Sequence, residues 1–325
     1  IGNKDLGWER ELSYNVGTDI SLFDRRLNFT FDVYLKKTTD LVLDASRAPS
    51  TGTTSAKENI GEMENKGLEF QVDGMLVQRN DFYWQVAATG SMNRNRILKI
   101  NSALKKANED ANKVDSKTPL AQYEEGESTS ALKVVKSAGI DPATGQEVFI
   151  KLNGERTFEY SADDKFVIGD TEPKFRGTVS TNLFYKGFSL YLLGRYECGA
   201  YLYNTTRATK VEGADPKKNA DKRVFSSRWK NPGDIAFYKD IADSEGWGAN
   251  PKHTDRFVEK ENVFTLGTVN FGYEFRPNIC SKIGVRNLRV GVNLTDIVRW
   301  SNVKIERGTT YLYSNGFEFT LSTTF

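Results

Sequence analysis

The chain has 325 residues, with 45 Lys+Arg against 43 Asp+Glu, a near-neutral balance that gives no electrostatic reason to invoke nucleic acid. No run of about 18 apolar residues occurs, which excludes a bundle of membrane-spanning helices, and the start Ile1-Gly2-Asn3-Lys4 lacks signal-peptide architecture. A mean hydropathy of −0.54 is compatible with a transmembrane β-barrel, whose apolar residues alternate with polar ones and whose lumen and loops are wet.

The pattern has period 2 along most of the chain. In the first expected strand, about Trp8 to Phe23, Tyr14, Val16, Ile20 and Leu22 face away from Ser13, Asn15, Asp19 and Ser21. Leu27, Phe29, Phe31, Val33 and Leu35 then oppose Asn28, Thr30, Asp32, Tyr34 and Lys36. Leu68, Phe70, Val72 and Leu76 oppose Glu69, Gln71 and Asp73; Phe82, Trp84, Val86 and Ala88 oppose Gln85, Thr89 and Ser91. Near the end, Leu288, Val290, Val292 and Leu294 oppose Arg289, Asn293 and Thr295, and the last strand alternates through Phe317, Phe319 and Leu321 to Phe325. One face is apolar and the other polar.

Connections alternate short and long, as periplasmic turns and extracellular loops do in outer-membrane barrels. The short ones are Asp24-Arg25, Arg79-Asn80-Asp81, Gly139 to Gly145, Lys186-Gly187 and Pro277 to Ile283. The long ones run roughly over Asp44 to Glu62, Lys99 to Gly126, Asn153 to Glu172, Asn204 to Glu261 and Ser301 to Tyr313. This spacing predicts an all-β, antiparallel transmembrane barrel sheet of about eleven strands, the last descending to the periplasm. The first strand then also descends, and an odd count of this kind reads as the C-terminal part of a larger barrel. Aromatic residues agree with that orientation: Phe23, Phe82-Tyr83-Trp84, Phe184-Tyr185, Phe188, Tyr273 and Phe275 flank the turns, and Tyr201, Tyr203, Trp300, Tyr311 and Tyr313 lie at the loop ends. A soluble two-sheet sandwich would explain the alternation but not the loop parity.

Little in the chain suggests enzyme chemistry. Gly-x-Ser-x-Gly and Gly-Lys-Ser/Thr motifs are missing, and Glu124-Glu125 and Asp163-Asp164 are adjacent pairs whose side chains diverge on an extended chain, so they read as solvated loop charges. The single histidine, His253, lies in a long polar loop, and no calcium-loop spacing or other metal or cofactor site is expected. Cys198, high on an ascending strand, and Cys280, in a turn, are expected to be free and far apart. Glycines at 61 and 67 suit positive φ or bulges, and Asp141-Pro142 with Gly145 is turn chemistry.

Several segments together resemble the C-terminal barrel of SusC/RagA-like TonB-dependent outer-membrane transporters. Asn59-Ile60-Gly61-Glu62-Met63-Glu64-Asn65-Lys66-Gly67-Leu68-Glu69 is similar to a loop-to-strand motif of that family, and Asn93-Arg94-Asn95-Arg96-Ile97 to a strand end. Gly139-Ile140-Asp141-Pro142-Ala143-Thr144-Gly145 and Gly169-Asp170-Thr171-Glu172-Pro173-Lys174-Phe175-Arg176-Gly177 resemble further family segments. So do Tyr203-Asn204-Thr205-Thr206-Arg207, Arg228-Trp229-Lys230-Asn231-Pro232-Gly233-Asp234 and Arg256-Phe257-Val258-Glu259, in order and with the family's spacing along nearly the whole chain.

The resemblance implies a barrel of about 22 strands in the outer membrane of a Gram-negative bacterium, of which this chain supplies residues 1–325 as the C-terminal part, without plug or TonB box. It implies nutrient import of oligosaccharides or peptides, without a cofactor, under a SusD-like surface lipoprotein acting as a lid. Energy would come from TonB-ExbB-ExbD through the part not in this chain. The alternative is a SusC-like barrel acting as a structural scaffold in an outer-membrane assembly. Arg207, Arg228, Trp229 and Trp247 of the largest loop are the candidate substrate or lid contacts. Asn28, Asp32, Gln71, Asp73 and Asn182 are the candidate lumen-facing residues, lining the path or touching the plug. Terminal Phe325 would serve recognition by the barrel-assembly machinery, and the remaining barrel half, the plug and outer-membrane lipid complete the expected partners.

Overall fold

Aromatic and β-branched residues at every second position suit a pleated surface with one apolar face, and here they produce long antiparallel strands. The computed structural model describes residues 6–46, 55–215, 217, 220–241, 251–304 and 314–325. In chain order the strands begin with β1 (Arg10–Leu22), β2 (Leu27–Ser46), β3 (Ser55–Arg79) and β4 (Phe82–Ile100), followed by helix α1 (Ser102–Lys113). Four shorter strands come next: β5 (Ala131–Ile140), β6 (Glu147–Ile150), β7 (Arg156–Thr157) and β8 (Lys165–Asp170). The long strands resume with β9 (Phe175–Tyr185), β10 (Phe188–Tyr203) and β11 (Val258–Glu274); after the short helix α2 (Pro277–Cys280) come β12 (Asn287–Ser301) and β13 (Gly316–Thr324).

Nine of these strands form one antiparallel sheet in the order β1-β2-β3-β4-β9-β10-β11-β12-β13, and the other four form a small sheet ordered β7-β6-β5-β8. The large sheet is a meander interrupted once. β4 pairs directly with β9, from Phe82↔Tyr185 to Ser91↔Arg176, so residues 101–174 leave and return at neighbouring strands. The all-β antiparallel reading therefore holds, with one reassignment. The turn Gly139 to Gly145, expected in the periplasm, joins β5 to β6 in the small sheet, so the two strands flanking it do not belong to the wall. Turn chemistry specifies a reversal without specifying which end of the barrel holds it. Because two strands leave the count together, β1 and β13 still run in the same direction.

The register aligns the expected faces across the large sheet. Phe31, Phe70, Gly90, Gly177, Tyr196, Phe264 and Trp300 share one row of the apolar face. At the turn end of that face, Phe82 meets Tyr185 edge-on and Phe188 lies 4.5 Å from Tyr273; at the loop end, Phe175 contacts Phe70 and Tyr196, and Phe264 contacts Trp300. Two aromatic girdles thus bracket an apolar band, as the interfaces of a membrane barrel require. No helix among the described residues is long and apolar enough to cross a membrane, so any crossing falls to the strands.

Gly67 and Gly61 have no positive φ, contrary to one of the two expectations for them. A Cβ on Gly67 would lie 2.6 Å from the Tyr34 hydroxyl oxygen, so the position is held open for that ring, while Gly61 sits between two register shifts in the β2–β3 pairing and close to one in the β3–β4 pairing. Both cysteines are free; Cys280 ends α2 at the turn end and Cys198 pairs with Phe175 and Asn262 near the loop end.

Candidate functional site: a bonded head above a polar wall

The loop motifs converge. Leu132 and Val134 of β5 pack with Tyr203, Ala208, Val211, Tyr238 and Phe257 into a core, so the loop end of the sheet carries a packed head of the kind found in soluble domains. The head is tied together by side chains from motifs far apart in sequence. Arg256, just before β11, places its guanidinium between Glu147 of β6 (2.5 Å) and Glu212 (2.8 Å), and all three side chains are at most 7% exposed. Burial alone would lower the Arg256 pKa, but the carboxylates of Glu212 and Glu147 outweigh it and raise it. Each carboxylate receives two of the guanidinium's hydrogen bonds, and the Phe237 carbonyl accepts another.

Three of the four loop residues expected to meet substrate or lid lie inside this scaffold. Arg228 is buried and donates to the backbone carbonyls of Val224, Lys239, Val211 and Glu212. Trp229 is also buried: its ring covers Gly145, where a Cβ would stand 2.5 Å from Cε3, and its indole N–H donates to the Pro142 carbonyl at 2.8 Å. Gly145 has φ +75°, so both its conformation and the close approach of Trp229 require glycine. Arg207 is half-buried over the Phe237 ring and donates to Glu259 at 3.0 Å and to the Tyr238 hydroxyl at 3.1 Å. Trp247 lies outside the described residues.

His253 lies in the long polar loop where the sequence places it, but its ring is not open to solvent. It is buried edge-on against Tyr203, with Nε2 3.0 Å from the Ser116 carbonyl oxygen, and burial lowers its pKa. Beside it, burial pushes the Tyr160 hydroxyl up to about 12. Glu124 is likewise engaged, reaching the buried Lys133 ammonium at 2.6 Å, and Glu125 accepts from the Ile100 backbone N–H. Among the described residues no cluster of His, Cys, Asp and Glu is arranged to hold a metal ion.

Below the head, the polar face of the large sheet carries a ladder of carboxylates and amides. Asn15 donates to Asp32 (3.2 Å), Asn28 to Asp73 (3.0 Å) and Thr30 to Asp19 (2.7 Å). Asp32, Glu69, Ser91, Arg176 and Glu197 follow one another across five strands. Gln71 stands opposite Thr30 and Thr89, and Asn182 opposite Gln85 and Tyr191, so all five candidate wall residues share this face. A cavity of about 300 Å³ opens on the sheet between Asp32, Glu69, Gln71 and Arg176. Phe325 is exposed beyond β13. The buried Arg256 network was not anticipated; its members are scattered through the chain, and only the Arg256-Phe257-Val258-Glu259 motif marked one of them.

Residues 1–212 match the family described as TonB dependent receptor-like, beta-barrel. The TonB-dependent receptor P39 of Formosa agariphila is 25% identical over 353 residues, an alignment covering 93% of this chain and 33% of that protein. The TonB-dependent receptor SusC of Bacteroides thetaiotaomicron is 32% identical over 100 residues, 30% of this chain and 10% of its own. Among solved structures, the RagAB peptide transporter superposes with a TM-score of 0.76 at 21% identity, over 93% of this chain and 33% of that one. The RagAB peptide importer in its open-open state gives 0.78 at 21% identity, over 100% of this chain and 36% of that one. At such identities the structural likeness is one of fold. The chain spans about a third of the length of the relatives it matches most fully.

Proposed function

Because the chain belongs to the TonB dependent receptor-like β-barrel family and is an outer-membrane barrel protein of the SusC/RagA type, we propose that it forms the C-terminal part of a barrel importing oligosaccharides or peptides. Further strands, a plug and the TonB contact are supplied from outside this chain. β1 and β13 each pair on one side only among the described residues, and their free edges suit closure by further strands. The observation that carries the proposal is the division of labour between head and wall. Arg256 and Arg228 spend their donors on holding the head rigid, while the carboxylates and amides of the wall remain on an open face where a hydrated solute can pass.

In this mechanism, side chains position and release rather than react. The head offers a fixed rim for a SusD-like lipoprotein to close upon. Asn28, Asp32, Gln71, Asp73 and Asn182 exchange hydrogen bonds with solute or plug on the way in, and TonB-ExbB-ExbD supplies the work. The test is uptake of labelled oligosaccharide and peptide pools by cells carrying the full-length protein, with and without a protonophore. Uptake of one pool that the protonophore abolishes is the expected result. An intact complex that takes up neither pool overturns import in favour of the scaffold role.

A further inference from the structure

The outward side of β3 and β4 ends in a cluster of cations, and we propose that Lys66, Arg94 and Arg96 bind the phosphate of an outer-leaflet glycolipid. This inference requires only the outer-membrane location, not the import reading. On β4 the outward residues are Phe82, Trp84, Val86, Ala88, Gly90 and Met92, and alternation then places Arg94 and Arg96 next on the same face. From Phe82 to Met92 a strand tilted by about 40° rises about 26 Å, close to the roughly 25 Å height of a barrel's apolar band. Arg94 and Arg96 therefore stand where acyl chains give way to headgroups. Register gives the same level on β3, where Leu68 lies opposite Met92 and Lys66 opposite Arg94.

Charge and space both fit a phosphate. Lys66 and both arginines are exposed; Lys66 lies 3.6 Å from Glu64, whereas neither Arg94 nor Arg96 has an ion-pair partner among the described residues. On β10 to β12 the outward positions level with Gly90 are Tyr196, Phe264 and Trp300, and alternation places the exposed Lys260 of β11 above them, so the pair of arginines next to each other is what distinguishes β4. There the β4–β9 pairing has stopped at Ser91↔Arg176, and a cavity of about 830 Å³ opens beside β4. Lys66, Arg94, Arg96 and Lys174 outnumber Asp170 and Glu172 in its lining, Leu68 and Met92 supply apolar contact, and Tyr34, Asn93 and Asn95 enter it from the polar face through the gap beside β4. Paired guanidinium forks beside an open volume of this size suit a phosphate monoester, and the apolar surface beneath suits the attached acyl chains.

The experiment uses full-length protein in detergent, titrated with bisphosphorylated lipid A and with its dephosphorylated form, and bound lipid is counted by native mass spectrometry. Arg94→Gln/Arg96→Gln is expected to weaken binding of the phosphorylated form by at least about tenfold. Arg94→Lys/Arg96→Lys keeps the charge but loses the forks and should weaken binding less than the Gln variant, while Lys186→Gln, in a turn at the opposite end, should change nothing. Inorganic phosphate at the same concentration should not displace the lipid. Equal binding of the dephosphorylated form, unchanged binding by the Gln variant, or full displacement by inorganic phosphate would each overturn the proposal. If the Gln variant does not fold, the comparison of phosphorylated with dephosphorylated lipid on the unaltered protein decides alone, and equal binding of the two overturns the proposal.

Discussion

The head and the wall are built from the same chain by opposite means. The head buries its side chains: Val134, Val135, Val211, Val224 and Phe257 are almost wholly enclosed, and Arg228, Glu147 and Glu212 are enclosed with them. The wall encloses few, leaving Val16, Phe31, Val33, Phe319 and Leu321 exposed for lipid, and on the other face Asp19, Glu69 and Glu197 exposed with Asp32 and Asp73 half-buried. Stability in the head thus rests on tertiary packing and a buried ionic network, and in the wall on ladder hydrogen bonds and the surrounding membrane. A rigid rim and a forgiving wall can therefore be disturbed separately.

The largest disturbance should come from Arg256→Met. It leaves Glu147 and Glu212 buried without their cation, at a cost of about 3–5 kcal/mol. Hydrogen exchange on the full-length protein should show the head losing protection while the β1–β4 ladder keeps its own; equal loss in both would end the separation. A smaller effect should follow from pH. Burial holds the His253 imidazole below its ordinary pKa of about 6.5, so the head folds around a neutral ring. As pH falls through that ordinary value the unfolded head takes up a proton first. The contribution is therefore fully present above about 6.5 and declines below it. Head protection should drop between about pH 7 and about pH 5, and His253→Gln should flatten the drop. The smallest effect should be Asp32→Asn on the wall, within about 0.5 kcal/mol by thermal unfolding, because the side chain is only half-buried and, among the described residues, accepts a single hydrogen bond, from Asn15. A cost there as large as that of Arg256→Met would show that the wall too relies on particular side chains.

The wall was legible in the sequence because a period of 2 is a local signal and every strand repeats it. Asn28, Asp32, Gln71, Asp73 and Asn182 share one face of the sheet for that reason alone. The head was not. Glu147 and Arg256 are 109 positions apart, and Arg228 bonds to Val211 across 17, so no window of sequence displays their contacts. Trp229 and Arg228 looked like exposed recognition groups because a long polar loop normally lies on the surface. Trp229 is hidden by the turn at Pro142 and Gly145, which the loop spacing places at the other end of the barrel, and Arg228 by backbone carbonyls of its own loop. One misplaced turn thus concealed the partner of Trp229.

The direct pairing of β4 with β9 has a further consequence, for how such proteins diversify. Residues 101–174 form an insertion whose two ends meet across a single ladder, so the segment can be exchanged without changing the register of any wall strand. It cannot be exchanged alone. Glu147 and Pro142 lie in this insertion, whereas Arg256, Glu212 and Trp229 lie in the loop between β10 and β11, and a graft that replaced one side would strand the other's charges and ring. The inheritable unit at the mouth is therefore a matched pair of loops, carried on a wall that tolerates the trade.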